Sequence, residues 1–147
     1  MQITSFSGEF SFLSNFFPSD ILLGKLHDQK VYPSVEHAFQ AAKTLDPKER
    51  EAIRRAPTPG QAKRLGRKAT LCPNWEDMKF HVMLGLLRKK FQIPELREKL
   101  LGTGDAILIE GNTWGDVTWG CVWKEEGWVG ENWLGKLLML VRSELEN

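Results

Sequence analysis

Apolar residues recur along this chain at helical and strand spacings, and each spacing predicts a different element. Val35, Ala38, Phe39 and Ala42 fall at i, i+3, i+4 and i+7, the stripe of a helix that faces a core. Pro33 keeps the residue before it out of the helical region. Ser34 then offers a hydroxyl to the free N–H groups of the first turn. Glu36, Gln40 and Lys43 share another face of the same helix. That face reads either as a solvated surface or as a pocket lining, and charged helix faces are more often the former. Residues 3–12 are short, alternating and aromatic, which predicts one or two edge strands. Residues 21–26 and 29–32 predict a hairpin that delivers the chain into the helix.

Further helices carry clear start signals. Asp46, Pro47 and Glu49 predict an N-cap, a first-position proline and a closed capping box, with an end near Arg55. Thr58-Pro59-Gly60-Gln61 repeats the signal. A longer helix is expected after Asn74, over 75–90, with Met78, Val82, Met83, Leu86, Leu87 and Phe91 inward. Pro94 opens another that Gly102 ends. Residues 106–110 suit a buried strand. A last helix from about residue 131 or 132 buries Trp133, Leu134, Leu137, Leu138, Val141 and Leu145.

Composition narrows the function classes. A chain of 147 residues suits one domain, and 1–147 shows no repeat, low-complexity tract or linker. The formal net charge of +1 calls for neither a stable nucleic-acid partner nor an anionic membrane. Cys72 and Cys121 form no CxxC pair, and His27, His37 and His81 are scattered, so no metal-ligand spacing is present and no cofactor is implied. The chain opens on no secretion signal, and no apolar run is of membrane-spanning length. A soluble, cytoplasmic protein is the expectation.

Candidate chemistry gathers in five places. Glu36 lies in the first turn of its helix, where free N–H groups and the dipole favour negative charge. Its pKa is expected to fall unless burial wins, which suits a base, nucleophile or electrostatic stabiliser. The 11–19 loop is either an aromatic loop packed on the core or a binding loop, with Asn15 as polar contact and Phe16 or Phe17 as stacking face. Lys63, Arg64, Arg67 and Lys68 form the one basic concentration, a solvated face or a phosphate contact, with Arg67 the candidate. Trp75 and Lys79 bring an indole and an ammonium together at i and i+4. In 111–120, glycines mix with Asn112, Trp114, Asp116 and Trp119. This is a glycine-rich turn with core tryptophans or a catalytic loop with a second carboxylate and a stacking indole, on equal terms. Trp123 and Trp128 are expected to be structural.

The ordered stretches Phe12-Leu13-Ser14-Asn15-Phe16, Tyr32-Pro33-Ser34-Val35-Glu36-His37, Phe39-Gln40-Ala41-Ala42-Lys43, Ala62-Lys63-Arg64-Leu65-Gly66-Arg67, Thr103-Gly104-Asp105 and Gly135-Lys136-Leu137-Leu138-Met139 carry a resemblance over nearly the whole chain. The sequence resembles the YbiA-like family, also called NADAR. The resemblance implies an α+β fold, a single compact domain that is mainly helical with a small antiparallel sheet. It implies an N-glycosidase, a hydrolase acting on N-glycosyl bonds. One branch cleaves ribosylamino-pyrimidine 5′-phosphates of early riboflavin synthesis, and another is implicated in removing ADP-ribose from nucleobases. By resemblance, Glu36 is the principal catalytic carboxylate, and Asp116 and Trp119 match a second cluster. The family pattern often places Ser-Pro before that aspartate, where this chain has Asn112-Thr113-Trp114-Gly115.

These implications fit the residues read alone. Cleaving a C–N glycosidic bond builds positive charge on the sugar, which one ionised carboxylate, Glu36, can stabilise, while Asp116 is the second catalytic candidate, able to protonate the departing base if its surroundings favour the protonated form. The partner is then a small ribosylated base or an ADP-ribosylated nucleobase. Asn15, Phe16, Gln40 and Asn112 are expected to contact it, Trp119 or Trp75 to stack on the base, and Lys43, Arg67 or Lys79 to hold a phosphate. Other classes remain: a non-catalytic ADP-ribose or nucleotide-binding module, told apart by binding without turnover, and a helical interaction protein, told apart by an apolar surface patch and no nucleotide binding.

Overall fold

Ser34 Oγ accepts from the backbone N–H of His37 at 3.1 Å, and this cap turns the chain into the first helix, α1 (Val35–Ala42). The computed structural model describes residues 1–147 and divides into two compact units, Asn15–Lys90 and a unit made of Met1–Ser14 with Phe91–Asn147.

The Asn15–Lys90 unit is built around α1. Strands β2 (Ile21–Leu23) and β3 (Lys30–Tyr32) pair antiparallel ahead of it. Their register sets Ile21 opposite Tyr32, both buried, and Leu22 opposite Val31, both exposed, as the two-residue strand period requires. Helices α2 (Pro47–Arg54), α3 (Pro59–Lys68) and α4 (Trp75–Lys90) all pack on α1. Asp46 and Thr58 cap α2 and α3 as their sequences predict. The expected capping box at α2 does not close. Glu49 instead accepts from the Thr44 hydroxyl and the Thr70 backbone N–H, and so joins the two ends of the α2–α3 segment. Met78, expected in the core, is 41% exposed, while Met83, Leu86 and Leu87 are buried. Cover from three helices leaves Val35 through Ala41 all buried, polar members included.

In the other unit, β1 (Gln2–Ile3) runs parallel to β4 (Ile107–Leu108). The edge strands expected over 3–12 are therefore mostly absent, and Gly8–Leu13 forms a 3-10 helix whose Phe12 and Leu13 are buried. Helix α5 (Pro94–Gly102) packs on it. An unforeseen hairpin, β5 (Val122–Lys124) with β6 (Gly127–Val129), sets Trp123 edge-on to Trp128 at 5.1 Å. The α+β class stands, but the small antiparallel sheet is corrected to three separate two-stranded ladders, one of them parallel. Helix α6 (Trp133–Leu145) lies on β4 at Gly135, where a Cβ would come within 2.1 Å of the Leu108 carbonyl. Asn132, at φ +54°, donates to Leu108 O and accepts from Glu110 N, completing the edge of β4 with a side chain. Both cysteines are buried and free, and burial pushes the Cys121 thiol up. No helix is long and apolar enough to cross a membrane.

Candidate active site

Glu36 is 7% exposed, against the commoner expectation of a solvated face. The helix period does give α1 a polar stripe, but α3 and α4 cover it. Gln40, one turn on, donates from Nε2 to Glu36 Oε1 at 2.8 Å. The backbone N–H of Glu36 donates to Asn15 O at 3.1 Å, so the aromatic loop fixes the first turn of α1. The Asn15 amide donates to Met83 Sδ at 3.6 Å, and its Oδ1 is buried with no protein donor.

Burial also decides the charge. Desolvation raises the Glu36 carboxyl above the ordinary carboxylate range. The Gln40 hydrogen bond and the charges of Lys63, Lys43 and His37 pull the other way and do not cancel it. The expected fall from the helix N-terminus is thus overturned. Burial in turn lowers the Lys43 ammonium, with Glu36 raising it and Lys63 and Arg67 lowering it further. Lys63 and Arg67 thus both act on Lys43, and Lys43 and Lys63 on Glu36. Lys63 and Arg67 are i and i+4 on α3, next to the Ala62 and Gly66 stripe that meets α1. The sequence marks Lys63 only as a member of the basic concentration, with Arg67 as its candidate.

His37 is committed to the fold. Its Nε2–H donates to Ala56 O at 2.9 Å and Nδ1 shares a 2.8 Å bond with Ser34 Oγ. Trp75 is 5% exposed and packs on Phe39 at 5.2 Å, so it is a core residue rather than an open stacking face. Lys79 pairs with Glu76 on its own helix. Phe16 is 44% exposed.

The second cluster forms a tightly bonded loop. Asn112 accepts from Asp116 N through Oδ1 and donates through Nδ2 to Asp116 O and Cys121 O. Its amide thus bonds the loop's own backbone at both ends. Asp116 Oδ1 accepts from Thr118 N and Trp119 N, at 3.0 and 2.9 Å. The carbonyls of Thr118 and Trp119 accept from Trp133 N and Leu134 N, satisfying free N–H groups at the start of α6. Trp119 is half-buried, and Trp114 is exposed. A cavity of about 680 Å³ opens beside this loop between Gly111, Asn112, Thr113, Trp123, Lys124 and Trp128. It is the larger of the cavities described, and no carboxylate lines it. No group of three or more His, Cys, Asp or Glu is arranged to hold a metal.

A buried glutamate in the first turn of a capped helix, with lysines near it, is the candidate site of this α+β protein. The NADAR domain model matches residues 5–146, and the chain belongs to that family. It is 43% identical to the N-glycosidase YbiA of Escherichia coli strain K12 over 144 residues, covering 96% of this chain and 85% of that one. It is 39% identical to the N-glycosidase Npun_R5314 of Nostoc punctiforme, covering 91% and 85%. It is 37% identical to the riboflavin biosynthesis protein VVA0006 of Vibrio vulnificus, covering 92% of this chain and 35% of that longer one. The NMR structure of E. coli YbiA superposes with a TM-score of 0.79 at 43% identity, covering 99% of this chain and 84% of that one.

Proposed function

We propose that this protein is an N-glycosidase that hydrolyses the C–N bond between ribose and a base, with Glu36 as the catalytic carboxylate. The observation that carries the reading is the Glu36 side chain itself. A buried carboxylate is costly unless paired, and this one is held by a neutral amide and stands near cations without a close ion pair. Under-solvated negative charge gains most when positive charge forms beside it, as it does on the ribose ring while the base departs. The N-glycosidase names of the relatives support the same class.

The Lys43, Lys63 and Arg67 group suits a phosphate on the ribose. This favours a phosphorylated riboside, such as a ribosylamino-pyrimidine 5′-phosphate, or ADP-ribose on a nucleobase. The test is sugar release from a panel of ribosylamino-pyrimidine phosphate, NAD and ADP-ribosylated guanine. Release from none of them by folded protein, together with tight nucleotide binding, replaces this reading with the binding module. Lys43→Ala and Arg67→Ala are each expected to raise KM for the phosphate-bearing substrate about tenfold and to leave its phosphate-free counterpart nearly unchanged. Equal effects on both substrates rule out the phosphate assignment.

A further inference from the structure

The amide that holds Glu36 has a cradle of its own. Gln40 is 4% exposed, and its Oε1 is buried with no protein donor. A Cβ at Gly66 would lie 1.9 Å from that oxygen, 2.7 Å from Gln40 Cδ and 3.0 Å from Gln40 Cβ. Gly66 lies in the last turn of α3 at a helical φ, where alanine is the better helix former by up to about 1 kcal/mol. Its backbone conformation therefore does not call for glycine, whereas the space does. Ala62 at i−4 is also small and fully buried, so α3 meets α1 through small residues.

We propose that Gly66 is a positioning residue for Glu36: its missing side chain is the slot that holds the Gln40 amide, and the slot aims Gln40 Nε2–H at Glu36 Oε1. The inference rests on Glu36 being the catalytic carboxylate, but its geometry stands apart from that role. In Gly66→Ala the new methyl displaces the far end of Gln40, a flexible side chain, rather than backbone. The bond to Glu36 Oε1 is then lost. That bond favours the ionised carboxylate, so its loss makes Glu36 harder to ionise. The other charges facing Glu36 are Lys63 of α3 and Lys43 and His37 on and beside α1, with Glu76 of α4 and Arg67 of α3 acting on Lys43. None of these is altered by the substitution.

The experiment compares wild type, Gly66→Ala, Gln40→Ala and the double variant. Sugar release is followed against pH, and Glu36 is titrated directly by carboxyl ¹³C NMR. Gly66→Ala is expected to lower kcat roughly tenfold at neutral pH, the loss of a hydrogen bond to a charged group, and to move the acid limb to higher pH. In the Gln40→Ala background, Gly66→Ala is expected to add nothing, and the added methyl then fills space that the glutamine vacated. Glu36 titrating at the same pH in wild type and Gly66→Ala overturns the proposal. So does a full second loss in the double variant. If wild type releases no sugar from any riboside, the catalytic reading fails while the NMR titration still decides the role of Gly66.

Discussion

Glu36→Gln is expected to lower sugar release by about a thousandfold or more, the scale for removing a preorganised charge from a transition state, while the protein becomes more stable. Both effects follow from one fact. Burial holds the Glu36 carboxyl above its ordinary pKa, so its ionised form is a burden on the folded state. For a carboxyl raised in the native state, the folded protein binds more protons than the unfolded chain between the two pKa values. Stability therefore falls as pH rises through that window, and the whole burden is present above the folded pKa. Glutamine keeps the shape and an acceptor for Gln40 but carries no charge. Its melting temperature is expected to exceed wild type by a few degrees at neutral pH, about 1 kcal/mol for a chain of this size, and to match it near pH 4. Turnover runs the other way. If the ionised form acts, wild-type activity falls as pH drops through the Glu36 pKa, above the ordinary value of 4.5. Activity that instead disappears as pH rises through the same point would make Glu36 the general acid. A variant that turns over normally removes it from the mechanism.

Why the sequence conveyed part of this site and not the rest comes down to range. The cap at Ser34, the helix starts at Asp46 and Thr58, and most of the inward stripes of α4 and α6, Met78 excepted, are local rules, and they hold. The family resemblance rested on such local stretches and is matched over residues 5–146. What failed was set by packing. The Glu36, Gln40 and Lys43 face looks solvated because periodicity marks which side is polar and not what covers it. Burial by three helices also reverses the expected direction of the Glu36 pKa. Glu49 carries the signature of a capping box but finds Thr44 and Thr70 nearer. The 111–120 loop reads equally as a turn or as a catalytic loop, and local pattern does not show that Asn112 and Asp116 both bond the loop's own backbone. Gly66 passed unnoticed since its reason for being glycine is a side chain 26 positions earlier.

The same distinction applies to Lys90, whose replacement by methionine carries the largest expected stability change. Met83, Leu86, Leu87 and Lys90 fall at i, i+3, i+4 and i+7, so the helical period places this lysine on the buried stripe of α4. It is 0% exposed, with its ammonium 5.7 Å from the Phe17 ring centroid. Desolvation lowers its pKa to about 7, against about 10.4 for a free lysine. Below about pH 7 both folded and unfolded chains carry the proton, and the folded state bears the full cost of the buried charge. Between there and about pH 10.4 the unfolded chain binds the extra proton, so wild-type stability rises with pH. Lys90→Met retains the length and flexibility of the stem and can still touch Phe17 through sulfur. It is expected to stabilise the protein at pH 6 by roughly 3 kcal/mol, with the gain shrinking steadily toward pH 10. Denaturant unfolding of both proteins at pH 6, 8 and 10 reads the difference. A gain that is the same at all three pH values would place the proton on Lys90 throughout and assign the change to packing alone. A gain that shrinks as described identifies Lys90, far from Glu36 in sequence, as a second buried charge whose cost the fold sustains.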